Sequence, residues 1–64
     1  MIQVFHRGEE IWIAWRAIDA IRFRPDGSTI IEMPVCVYEI VDTSQEDIRQ
    51  QMMAEVFPAT HFRH

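Results

Sequence analysis

The chain contains no Leu, no Lys and no Asn, and it has a single cysteine, Cys36. One cysteine excludes an intramolecular disulfide. A 64-residue domain must then draw its stability from a modest core, a metal or a partner chain. With Leu absent, Ile and Val carry the aliphatic content. Their branched side chains fit a pleated, half-buried surface better than a helix, so the bias favours a sheet. With Lys absent, six Arg face ten acidic residues and the net charge is −4, a poor balance for general phosphate binding. No apolar run approaches the roughly 18 residues that span a bilayer. The N-terminus Met1 to Arg7 reads as a strand, not as a basic segment leading into a long apolar one. The expected location is therefore the cytoplasm, whose reducing conditions suit a free thiol. Internal repeats, linkers and low-complexity segments are also missing, which points to one domain over residues 1–64.

What is present alternates. Ile2 to His6 alternates, Gly8 offers a turn, and Glu10 to Ala14 follows with Ile11 and Ile13 on one face and Glu10, Trp12 and Ala14 on the other, which predicts a hairpin. Trp15 to Asp19 has weak strand character and reads as a connection, with a short helical turn in it. Pro25-Asp26-Gly27 is the clearest turn, since Pro presets one backbone angle and Gly accepts the positive angle after it. It joins Ile21–Arg24 to Ser28–Glu32 as a second hairpin. After Met33 and Pro34 a last strand is predicted over Val35 to Val41, with Val35, Val37 and Val41 on one face and Cys36, Tyr38 and Ile40 on the other. A strand apolar on both sides is usually covered on both sides.

The helix is signposted by Thr43 and Glu46, whose spacing suits a capping box, and by Glu46 and Asp47 in the first turn, where the helix dipole favours negative charge. Ile48, Met52 and Val56 define its buried stripe, and Pro58 ends it. Met53 and Phe57 fall well round from that stripe, and the tail 59–64 reads as frayed. The expected fold is α+β: an antiparallel meander of four to five strands with one C-terminal helix, about residues 44–57, packed on one face.

Chemistry-bearing residues are sparse. His6, Cys36, His61 and His64 are types that zinc accepts, but no paired Cys motif accompanies them, so neither metal nor cofactor is expected; Cys36 reads as a core thiol and His6 as a surface residue. Nucleophilic catalysis needs a cleft and a base beside the nucleophile, and a short meander offers little room, so no enzymatic activity is expected. Arg7, Arg16, Arg22 and Arg24 alternate with aromatics including Phe23, a pattern that suits single-stranded nucleic acid. Four acidic residues in the first 27 cancel that charge, and the acidic second half opposes a polyanion. Nucleic-acid binding is therefore the alternative. Trp12, Trp15, Val35, Val37, Val41, Met53 and Phe57 exceed what one helix can cover, and such types are enriched at interfaces. The leading expectation is a non-catalytic protein-interaction module, self-associating as a homodimer or higher, acting as a small adaptor or regulator.

The order of Gly8, Ile18-Asp19-Ala20-Ile21, Thr29-Ile30, Tyr38 and Asp42-Thr43-Ser44 resembles the FlbD/SwrD family of small bacterial flagellar and swarming proteins. The similarity covers roughly residues 2–53. The Trp pair, Met33-Pro34-Val35 and the end after Phe57 depart from the family pattern. The resemblance implies a non-enzymatic role exercised through contacts with other proteins. Small acidic chains with surplus apolar surface also suit phage or mobile-element inhibitors of a host protein.

Overall fold

A computed structural model describes residues 1–56. The sequence expectations for Phe57, Pro58, His61, His64 and the tail 59–64 lie outside the described residues. The architecture is α+β, with five antiparallel strands and a C-terminal helix: β1 (Ile2–His6), β2 (Glu9–Ile13), β3 (Ala20–Phe23), β4 (Thr29–Glu32), β5 (Val37–Ile40) and α1 (Gln45–Val56). The meander is divided into a β1-β2 hairpin and a β3-β4-β5 sheet. The division falls at the short 3₁₀ turn Trp15–Ala17, where the alternation of apolar and polar residues fails. No helix among the described residues is long and apolar enough to cross a membrane.

The first hairpin closes over Arg7 and Gly8, both with positive φ, 54° and 81°. That pair of angles is the two-residue turn whose twist matches paired strands. Ile2 stands opposite Ile13 and Val4 opposite Ile11, so one face of the hairpin is aliphatic and faces the core. Gln3, Phe5, Glu10 and Trp12 occupy the other face.

The second hairpin turns at Arg24–Gly27, where the Gly27 N–H donates to the Arg24 carbonyl at 3.1 Å and Gly27 has a φ of 95°. Asp26 Oδ1 secures this turn by accepting from both the Ser28 N–H, at 2.9 Å, and the Ser28 hydroxyl, at 2.6 Å. Those two bonds, the hydroxyl first, hold the Asp26 carboxyl below its ordinary value.

β5 is shorter than its alternation suggests. The Met33 N–H donates to the Cys36 carbonyl at 2.9 Å, closing a tight turn over Pro34 and Val35, and the strand begins only at Val37. Cys36 therefore sits at the turn and is exposed, which corrects its reading as a core thiol. The ring of His6 is half-buried rather than on the surface, edge-on to Tyr38 at 5.1 Å between centroids.

The core is Ile2, Val4 and Ile13 from the first hairpin, Ile31 and Ile40 from the second sheet, and Ile48 from the helix, with Trp15, Ile21, Phe23, Tyr38 and Met52 packed around it. Burying side chains of this size contributes roughly 1.5–3 kcal/mol each. The helix start differs from the expectation. Ser44, not Thr43, is the cap, since Ser44 Oγ accepts from the Asp47 N–H at 3.1 Å and the Ser44 carbonyl accepts from the Ile48 N–H at 3.2 Å. The cap thus lies one residue later than expected, made by the Ser44 hydroxyl alone. The Thr43 hydroxyl is already engaged on β1.

Candidate interaction surface

An antiparallel strand sends its N–H and C=O groups alternately to either side, so an edge strand presents a row of free polar groups. In β1 the outward groups belong to Gln3 and Phe5, and both are satisfied by side chains. Gln51 of α1 makes a two-point contact, its Nε2 donating to the Gln3 carbonyl and its Oε1 accepting from the Gln3 N–H, each at 2.8 Å. Thr43 does the same one step along: its Oγ1 accepts from the Phe5 N–H at 2.7 Å and donates to the Phe5 carbonyl at 3.5 Å. Asp42 then accepts from the Gly8 N–H at 3.3 Å. Together Gln51, Thr43 and Asp42 stand in for a neighbouring strand. Gln45 performs a related task at the second hairpin, its Nε2 donating to the carbonyls of Arg24 and Ser28 at 2.7 and 2.9 Å. Among the helix side chains described, the inward ones are Gln45, Ile48, Gln51 and Met52; the side chain of Val56 lies outside those described.

The outer edge of β5 is treated differently. The Met33–Cys36 bond and the pairing of Ile31 with Tyr38 and Thr29 with Ile40 direct the N–H and C=O groups of Tyr38 and Ile40 toward β4. Those of Val37 and Glu39 point away. Among the described residues no side chain or backbone group bonds to them. The flanking side chains are apolar and open: Val35 is 90% exposed, Val37 61% and Val41 67%. Beside this edge runs a groove of about 320 Å³ lined by Val37, Glu39 and Val41 on one side and by His6, Arg7 and Asp42 on the other.

Of the residues singled out in the sequence, Val35, Val37 and Val41 are thus brought together on one edge. Trp12 is exposed on the outer face of the first hairpin. There it lies diagonal to Phe5, also exposed, a residue absent from the interface set expected from the sequence; the strict alternation of Ile2 to His6 was the available signal. Met53 is exposed on the helix. Trp15 is apart from these, half-buried against the core, and its buried Nε1 has no partner among the described residues.

The arginine set is dispersed. Arg22 pairs with Glu32 at 2.9 Å and Arg24 with Glu39 at 3.6 Å. Phe23 is half-buried on the inner face, beneath the guanidinium of Arg49 at 4.4 Å. Arg7 and Arg16 are exposed, Arg7 at the hairpin turn and Arg16 in the 3₁₀ turn. Among the described residues no three His, Cys, Asp or Glu side chains are grouped to hold a metal. No family model, no curated protein and no solved structure matches the chain.

Proposed function

We propose that the chain is a non-catalytic protein-interaction module of the cytoplasm, self-associating and acting as a small adaptor or regulator. The observation that carries this reading is the open β5 edge, where valines at 61–90% exposure flank backbone groups without partners. Exposed apolar side chains scattered singly need no explanation, but a run of them along an unpaired strand is a template for another chain. The exposed Trp12 and Phe5 add a second apolar area of the type enriched at contact sites. Nucleic-acid binding finds less support: Arg22 and Arg24 are paired with carboxylates, and Phe23 is half-buried on the core side with Arg49 over its ring.

Light scattering coupled to size exclusion tests the reading. A mass above the 7.6 kDa of one chain, rising with concentration, is expected. A strict single-chain mass at high micromolar concentration would remove self-association.

A further inference from the structure

We infer that β5 is the self-association strand: two copies pair β5 edge to β5 edge, antiparallel about a two-fold axis, making one continuous six-stranded sheet from two three-stranded ones. The inference rests on the interaction reading above and names its surface and its partner, a second copy of this chain.

The argument begins with how the edges are defended. β1 is closed by Gln51 and Thr43. The edge strand β3 carries Arg22, and Glu9 and Glu10 stand on β2, charges that discourage edge pairing. β5 has Glu39 alone, and that carboxylate is already turned toward Arg24. β5 differs from β3, whose single Arg22 is likewise paired, with Glu32, in the open valines Val35, Val37 and Val41 beside it.

A second copy fits because the patch complements itself. A two-fold contact brings the same surface together from both sides, so it must hold both members of every pair. Around the groove stand the cation Arg7, which has no ion-pair partner among the described residues, the acids Glu39 and Asp42, and the apolar Val37 and Val41. Rotation by a half-turn sets the apolar and charged members of one copy against those of the other and offers Arg7 of each copy to the acids of its partner; with the axis at Tyr38, Val35 lies opposite Val41 and Val37 opposite Glu39. A partner strand of one charge sign would leave half of these unmatched. The register is constrained as well. An axis at Glu39 would place two carboxylates directly opposite, which is destabilising; one step to either side sets Glu39 opposite Val37 or Val41 of the second copy. Arg7 also holds a left-handed backbone, φ 54°, at a cost of about 1–2 kcal/mol to a residue that is neither Gly nor Asn. The turn places this cation at the rim of the groove.

The test uses the full chain and two independent readings. In light scattering, the unmodified chain and Trp12→Lys should both form dimers. The double variant Val37→Lys/Val41→Lys should run as a monomer with unchanged circular dichroism and with the melting temperature that the unmodified chain shows at high dilution, since both valines are exposed. In amide exchange on the unmodified chain, protection at Val37 and Glu39 should rise with concentration, while Tyr38 and Ile40 are protected throughout by β4. A double variant that still dimerises, with Trp12→Lys monomeric, would overturn the β5 assignment and leave the interaction reading intact, moved to the first hairpin. An unmodified chain that is monomeric throughout would overturn both. Dimers whose Val37 and Glu39 amides exchange as fast as in dilute solution would likewise reject strand pairing.

Discussion

Replacing Gln51 by Ala removes two hydrogen bonds at once and leaves the N–H and carbonyl of Gln3 without the partners they have at 2.8 Å. A net hydrogen bond is worth about 0.5–1.5 kcal/mol. The pair is half-buried, so water replaces part of what is lost, and the expected destabilisation is about 2 kcal/mol. For a chain of 64 residues the whole stability is on the order of 3–10 kcal/mol, so the change is a large fraction of it. In a domain this small each kcal/mol moves the melting temperature by about 4–8 °C, and a fall of about 8–16 °C is expected.

Gln51→Glu separates the two bonds. It retains an acceptor for the Gln3 N–H but sets a second oxygen against the Gln3 carbonyl, where the amide had donated. Its cost should match or exceed that of Gln51→Ala at neutral pH and shrink in acid, when a protonated carboxyl can donate again. Urea titration gives the free energies, and amide exchange reports Gln3 directly. A Gln51→Ala chain within about 0.5 kcal/mol of the parent, the range of ordinary surface changes, with Gln3 exchange unaltered, would refute the claim that this side chain closes the β1 edge.

Three further outcomes are expected. Ser44→Ala should cost about 1 kcal/mol through loss of the helix cap, while Glu46→Ala should cost less than about 0.5 kcal/mol; equal losses in urea titration would return the cap box to Thr43 and Glu46. Asp26 has a folded pKa below its ordinary 3.8. It therefore stabilises the fold above that value, and the contribution is lost as pH falls through the lower, folded pKa. Carbon-detected titration should find its midpoint below 3.8, and Asp26→Asn should flatten the acid limb of the stability curve. Arg7→Asn, better suited to a positive φ, should raise stability by up to about 1 kcal/mol while weakening the dimer, because the fold gains what the groove loses. A more stable chain with unchanged dimer affinity would detach Arg7 from the interface.

Much of the fold was legible because its elements are written in short-range patterns. Alternation located the strands, Gly8 and Pro25-Asp26-Gly27 located both hairpin turns, and the spacing of Ile48 and Met52 gave the buried side of the helix. What failed depended on contacts far along the chain. The hydroxyl of Thr43 meets every local requirement of a cap, yet Phe5, 38 residues away in sequence, claims it. Gln45 and Gln51 carry no signal in a hydrophobic periodicity; the free backbone groups they satisfy exist only after the strands have formed. The exposed valines were legible as a surplus, but the unpaired edge they line follows from the register of β4 with β5. Trp15 was miscounted among exposed aromatics because a connection between two sheets has no periodicity to show which side faces in.

These polar clamps bear on how the helix and the sheets depend on each other. α1 buries Ile48 fully and Met52 in part, and a helix of 12 residues is marginal alone in water. Gln45 and Gln51 supply the remaining attachment, and both are fastened to backbone rather than to other side chains. Undocking the helix therefore uncovers the β1 edge at Gln3, and any strand that paired with β1 at Gln3 would have to displace Gln51 first. The same contact fixes the helix and closes an edge. Strand pairing at β5 requires no such displacement, since its outward groups bond to nothing among the described residues. For a second copy arriving at a folded chain, pairing with β1 at Gln3 would first cost the two Gln51 bonds, and the proposed pairing at β5 would not.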